Sequence, residues 1–252
     1  MKRLFYDVET SLLRFWGFKM GQQFVSHNQL DSKHSRYKII CLTYCWEGSK
    51  KPVTLMWDYE TQDDSELIKE FDKVAQEADV IIGKNSDRFD NKHINTRRMF
   101  LDLAGNTEWL KRTDDLEKHM RKQFYLPSQS LDYISQQLGF GGKDKMSFDD
   151  WVHISTKDKE HGMKAFNKML KYNRKDVLDT MAIWNYCEKH FVPKLNLSKT
   201  NDGIGCRRCG GLNIIKNGKG QSGNVIYQRY HCTDCNGSAG VRSVLGKIER
   251  LS

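Results

Sequence analysis

The order of predicted elements sets the fold class: an α/β chain, a mixed central sheet flanked by helices, with a small module at the C-terminus. Three observations predict it. The chain up to Gly83 alternates strand-like segments with one helical segment, the stretch from Asp90 to about residue 190 is mainly helical, and two Cys-x₂-Cys pairs close the chain.

The first strand is expected over Arg3–Val8, ending at the carboxylates Asp7 and Glu9. Residues 10–37 form a long irregular insert carrying Phe15, Trp16 and Phe18, placed as a substrate-contacting loop or a flap packed on the body. Lys38–Trp46 and Val53–Trp57 are rich in β-branched and aromatic residues, and the Glu47–Lys51 turn between them predicts an antiparallel hairpin. Ser65 is the expected N-cap of a helix reaching about Gln76, with Leu67, Ile68, Phe71 and Val74 as its apolar face. A short buried strand, Asp79–Gly83, precedes a helix from Asp90 to about Leu103. Further helices are expected at 115–123, Ser130–Leu138, 160–172 and 174–190, with a short turn near Phe148–His153. These elements make residues 1–191 one domain, 192–205 a linker and 206–252 a second, small module.

Composition narrows the function. Hydrophobic residues make up 38% of the chain, enough for a core, so wholesale disorder is excluded. The opening MKRLFYDVETS carries no apolar stretch of signal-peptide length, and no segment approaches the roughly 20 apolar residues of a membrane span. A soluble, cytoplasmic protein is expected. Residues 192–252 hold 10 Lys and Arg against 3 Asp and Glu, while residues 1–191 hold 31 against 29. The basic excess therefore sits in the last quarter, which points to a polyanion partner, most simply nucleic acid, or to a solvated surface.

Of the seven cysteines, Cys41, Cys45 and Cys187 lie in apolar runs and are expected as buried thiols. Cys206, Cys209, Cys232 and Cys235 form the two Cys-x₂-Cys pairs, separated by an expected hairpin of Leu212–Asn217 and Val225–His231 around the turn GKGQSG. Two such knuckles supply four thiolates to one closed, structural Zn²⁺ site. So short a module buries little core, which makes the metal its main source of stability. Arg207, Arg208, Lys216, Lys219, Arg229 and Arg242 are candidate phosphate contacts, and Tyr227 and Tyr230 stack on bases or cover the hairpin.

Three acidic motifs follow one another. In Asp7-Val8-Glu9 the two carboxylates are two residues apart on a strand and aim at one side. Hydrolysis of a phosphodiester uses two divalent cations about 4 Å apart, and carboxylates are the ligands that hold hard cations. The second motif, Asn85-Ser86-Asp87-Arg88-Phe89-Asp90, follows the buried strand; Asp90 is a metal ligand or a helix N-cap. In the third, Tyr172-Asn173-Arg174-Lys175-Asp176, Tyr172 and Asp176 share one helix face, as water-orienting hydroxyl and metal ligand or as surface residues.

Together these motifs resemble the tyrosine-containing branch of the DEDD exonuclease superfamily, whose pattern runs DxE, N-x₃-F-D and Y-x₃-D; here it reads DVE, NSDRFD and YNRKD. The same motifs occur in the proofreading domains of family B DNA polymerases. The chain is most similar to a phage and bacterial group of stand-alone RNase H-like exonucleases that end in a zinc ribbon. The resemblance covers nearly the whole chain, including the TDDL near Asp114 and the segment FYLPSQSLDYISQQLGFGGK. It implies an RNase H-like fold and 3′→5′ removal of 5′-mononucleotides from DNA, single-stranded by preference, in replication, proofreading or DNA degradation. It assigns Asp7, Glu9, Asp90 and Asp176 to two Mg²⁺ or Mn²⁺ ions and Tyr172 to the attacking water. Asn85 and Phe89 support the second motif at the substrate, with Arg207, Arg208 and Arg229 as further substrate contacts; Asp114 and Asp179 stay outside the metal set. A DNA polymerase or another replication protein is a possible partner. The first knuckle, Cys-Arg-Arg-Cys-Gly, lacks the proline common in such ribbons, so a slightly different turn is expected there. An exoribonuclease, an endonuclease and a catalytically idle binding module are the alternatives.

Overall fold

The structure, a computed structural model, describes residues 1–17, 24–31, 36–103, 107–142, 145–191, 205–222 and 225–241. The chain divides into two compact units, Lys2–Cys187 and Glu188–Ser252. Phe18, most of the expected linker and Arg242 with the rest of the basic tail lie outside the described residues.

The first unit is built on a five-stranded sheet of β1 (Arg3–Thr10), β2 (Ile39–Trp46), β3 (Val53–Met56), β4 (Val80–Gly83) and β5 (Thr113–Asp115), in the order β3-β2-β1-β4-β5. β1 runs antiparallel to β2 and parallel to β4, and β4 runs parallel to β5. The mixed sheet has the expected class, and β1 is its centre. β1 continues two residues beyond the expected end, so Asp7 and Glu9 lie within the strand, paired opposite Thr43 and Cys41.

Alternation along β1 assigns its side chains to two layers. Leu4, Tyr6 and Val8 join a buried cluster with Ile68 and Phe71 of helix α1 (Ser65–Gln76), Ile94 of α2 (Asp90–Phe100) and Trp109. Phe5 points the other way, its ring meeting Trp184 edge-on at 6.3 Å between centroids. On that second face Ile40 and Cys41 pack with Ile154 of α5 (Phe148–Thr156) and with Phe166, Met169 and Leu170 of α6 (Gly162–Cys187). Cys41, Cys45 and Cys187 are buried cysteines, as expected.

Several expectations need correction. α6 is one helix of 26 residues, not two. Nothing between Met163 and Cys187 is proline or glycine, so no residue interrupts the backbone ladder near Asn173. β5 was not expected: its Thr-Asp-Asp lacks strand-forming character and is held by pairing with the wholly buried β4. The expected turn near Phe148 is a helix with Ser147 and Asp150 as a capping box. The N-cap of α1 is Asp64, one residue before the expected Ser65, and its side chain makes no capping bond. It turns inward instead, accepting from Arg97 Nε and Nη2 at 2.7 and 2.6 Å and from the amide of Ile39 at 2.9 Å. The helices α3 (Leu116–Gln123) and α4 (Leu131–Gln137) start at side-chain caps from Asp115 and Ser130. In the insert after β1, Phe15 bridges to Leu30, and Arg14 reaches the carbonyl of Ser155. No helix among the described residues is long and apolar enough to cross a membrane.

The second unit carries a three-stranded antiparallel sheet: β6 (Ile214–Ser222), β7 (Val225–Cys232) and β8 (Ser238–Val241). The expected turn residues from Gly218 onward are strand. β6 continues to Ser222, opposite Val225, with a register shift between Lys216 and Lys219 and Gly218 at φ +67°. Gly220 lets the Tyr227 ring lie against the backbone; a Cβ there would stand 2.7 Å from a ring carbon. β8 was not expected, because its Ser-Ala-Gly-Val has little strand signal of its own.

The buried Asp64–Arg97 pair joins α1, α2 and the start of β2, with Asp64 fully buried. Asp64→Ala leaves the guanidinium uncompensated, and the expected loss is about 3–5 kcal/mol. The check is the urea midpoint; the exposed pair Glu66–Lys69, broken by Glu66→Ala, leaves that midpoint within error.

Candidate active site

The alternation that places Phe5 on the α6 face places Asp7 and Glu9 there too. Asp176 approaches from the middle of α6, and one carboxylate oxygen from each of Asp7, Glu9 and Asp176 lies within 4.8 Å of the others. Tyr172, one turn earlier on α6, is half-buried beside them. Burial raises its phenol well above the ordinary value, and the charges of Asp176, Glu9 and Asp7 raise it further. The hydroxyl therefore stays protonated, and it hydrogen-bonds the Asp176 carboxylate.

Asp90 reaches the same strand from the other side. The parallel pairing of β1 with β4 spans Arg3 to Phe5, and further along the strand the amide of Val8 donates to Asp90 Oδ1 at 3.0 Å. The fourth carboxylate is thus fixed to the backbone between Asp7 and Glu9, although it is not among the three oxygens that converge. It is the first residue of α2, with Phe89 in the cap position, so the N-cap alternative does not hold. Burial pushes the Asp90 carboxyl up to about 7, aided by the charge of Asp115 and opposed by the Val8 amide, its own amide and Lys84.

The loop that carries the second motif is held by a residue outside the three motifs. Asp115, at the end of β5, accepts from the amides of Asn85 (2.9 Å) and Asp87 (3.2 Å), while capping α3 through Glu117. Asn91 donates to Asp87 and accepts from the Tyr6 hydroxyl, tying α2 to β1. Gly83 allows this tight turn, since a Cβ there would stand 2.6 Å from Ser86 Cβ. Asn85 takes a left-handed φ of +59°. The signal for Asp115 was present in the sequence, as an Asp before a helical run in TDDL, but its second role rests on contacts about 30 residues away.

Asp7, Tyr172 and Asp176 line a cleft of about 480 Å³, together with Lys84, Asn85, Ser130, Lys145 and Trp151. Asn85 therefore lies at the site. Phe89 is 41% exposed, and its ring tilts on His93 at 4.4 Å. Asp114 and Asp179 have other partners: His119 Nε2 at 2.9 Å and Lys175 at 2.7 Å. A further residue missed from sequence is Asn173, whose side-chain amide donates to Asp7.

In the second unit the Sγ atoms of Cys206, Cys209, Cys232 and Cys235 lie within 4.8 Å of one another. Cys206–Cys235 and Cys209–Cys232 are each 3.7 Å apart, too long for the roughly 2.05 Å of a disulfide. The spacing matches the edge of about 3.8 Å of a tetrahedron with metal–sulfur bonds near 2.3 Å. The two knuckles, both without proline, share one backbone geometry. The amide of Cys206 donates to the carbonyl of Gly211 at 2.8 Å, as that of Cys232 donates to Gly237 at 2.9 Å. Each knuckle has its positive φ just after the second cysteine, at Gly210 and Asn236. Arg207 and Arg229 are exposed, while Arg208 is half-buried, with its side chain close to Gly237.

The RNase H superfamily model matches residues 27–187, and the chain belongs to that superfamily. The family B DNA polymerase of the hyperthermophilic archaeon Pyrobaculum calidifontis has a similar fold, with a TM-score of 0.55 at 16% identity over 75% of this chain. The similarity covers 24% of the polymerase, so this chain spans about a quarter of its length. No curated protein matches by sequence. Superfamily membership and the acidic cluster together support a nuclease-type function, with Asp7, Glu9 and Asp176 placed closely enough to share a metal ion.

The buried Asp90 sets a pH dependence. Its carboxyl titrates near 3.8 when unfolded and near 7 when folded, so between those values the native state binds the extra proton and loses stability as pH rises. Without added Mg²⁺ or Mn²⁺, the thermal midpoint of wild type falls from pH 4 towards pH 8 more steeply than that of Asp90→Asn. Parallel profiles would remove Asp90 as the cause. Asp115→Ala, which releases two amides of the second motif, is expected to lower nuclease activity about 10- to 100-fold, read as the rate at saturating metal.

Proposed function

We propose that this chain is a 3′→5′ exonuclease acting on DNA, single-stranded by preference, and releasing 5′-mononucleotides. The observation that carries the reading is the convergence of Asp7, Glu9 and Asp176 beside Tyr172 at the cleft. An all-oxygen donor set suits hard divalent cations such as Mg²⁺ or Mn²⁺. Carboxylates gathered this closely repel one another until a cation offsets their charge. Asp7, Glu9, Asp90 and Asp176 would hold two such ions, whose chemistry when bound would be to acidify the attacking water and to stabilise the leaving 3′ oxygen.

The chain's own groups do the rest. Tyr172, its hydroxyl held beside the Asp176 carboxylate, orients the attacking water. Asn85 and Lys84 approach the strand end from the second-motif loop, and exposed Phe89 offers an apolar face to a terminal base. A cleft of about 480 Å³ takes a single nucleotide, which suits removal one at a time from an end. The fold shared with a DNA polymerase chain supports DNA as the polymer. The four cysteines hold one structural Zn²⁺, and Arg207, Arg208 and Arg229 contact phosphates. The setting we infer is DNA replication, proofreading beside a polymerase, or DNA degradation, in the cytoplasm of a bacterial or phage-infected cell.

With Mn²⁺ and 5′-labelled single-stranded DNA, wild type produces a ladder shrinking from the 3′ end, and Asp7→Ala slows it at least 100-fold. A matched RNA strand shortened faster than the DNA would reassign the substrate, and cutting within a circular strand would reassign the mode of attack. Elemental analysis of the purified chain is expected to give one zinc per molecule, lost in the double variant Cys206→Ser/Cys209→Ser.

A further inference from the structure

Asn173 lies on α6 between Tyr172 and Asp176, and it has no solvent exposure. Its Nδ2 donates to Asp7 Oδ2 at 2.8 Å. Its Oδ1 is also buried and accepts no hydrogen bond among the described residues. An apolar side chain of the same size would fill the space without leaving an acceptor unmatched, so packing alone does not account for an amide here. The orientation is set by charge: the flipped amide would turn its own oxygen onto the carboxylate. The bond also joins the third motif to the first, because Asn173 and Asp176 are three residues apart and both face β1.

We propose that Asn173 is a positioning residue that fixes the Asp7 carboxylate for cation binding. The assignment rests on the reading that Asp7, Glu9 and Asp176 hold divalent ions. A donor on one oxygen of Asp7 sets the rotation of the carboxylate about its last bond and draws off part of the negative charge facing Glu9 and Asp176. Residues that orient metal ligands in this way typically change metal affinity or activity by about 10- to 100-fold.

The test uses the full chain with its cysteine unit loaded, titrated with Mn²⁺ while free ion is read by electron paramagnetic resonance. Asn173→Leu keeps the volume and removes the donor; Asn173→Ala removes both. Binding that depends on Asp7 is expected to weaken at least ten-fold in both variants, with the thermal midpoint of Asn173→Leu at or above that of wild type. In the strand-shortening assay kcat falls while KM for the oligonucleotide is unchanged. Wild-type Mn²⁺ affinity in Asn173→Leu overturns the proposal, whatever happens to the strand. If wild type binds Mn²⁺ through Asp7 and both variants weaken it, but no strand is shortened, the exonuclease reading falls and the role of Asn173 stands.

Discussion

Carboxylates that share a small volume repel one another, and the first unit is organised around holding several of them against that repulsion. β1 does most of this work because it is the central strand and its two sides are committed to different layers. Its apolar side chains Leu4, Tyr6 and Val8 lock one face onto α1 and α2. That commitment forces Asp7 and Glu9 to the opposite face, where α6 crosses. A one-residue slip of β1 would bury both acids in the α1 layer and turn Leu4, Tyr6 and Val8 towards α6, so register and site are secured by the same packing.

The remaining parts come from chain segments far away in sequence. Asp90 is held by a backbone amide of β1, and its loop is held by Asp115 at the end of β5. Asp176 and Tyr172 arrive on a helix whose continuity matters, since a break at Asn173 would uncouple their facing from that of Phe166 and Met169 on the sheet. Burial of Asp90 and of the Tyr172 hydroxyl keeps both protonated more readily than in water.

Much of this was legible in the sequence. The two-residue spacing of Asp7 and Glu9 and the four-residue spacing of Tyr172 and Asp176 fix shared faces by local geometry alone. The alternation of strands and helices up to Gly83 gave the sheet its class for the same reason. What stayed hidden depends on tertiary contact. β5 is three residues of poor strand propensity, stabilised only by its neighbour. Asp64 has the composition of a helix cap and became a buried ion-pair partner because Arg97 lies across from it. Asn173 sits inside a motif that was recognised, yet its partner is 166 residues away. β8 resembles a loop, and β7 supplies its hydrogen bonds.

The cysteine unit follows a different logic: two knuckles of equal geometry bring four Sγ atoms within 4.8 Å of one another. In the first unit, Asp7, Glu9 and Asp176 are placed to form one cation site. Anomalous diffraction from crystals grown with Mn²⁺ tests it most directly. A manganese peak is expected within about 2.5 Å of carboxylate oxygens from all three residues. Strong manganese peaks elsewhere, with none between β1 and α6, would contradict it.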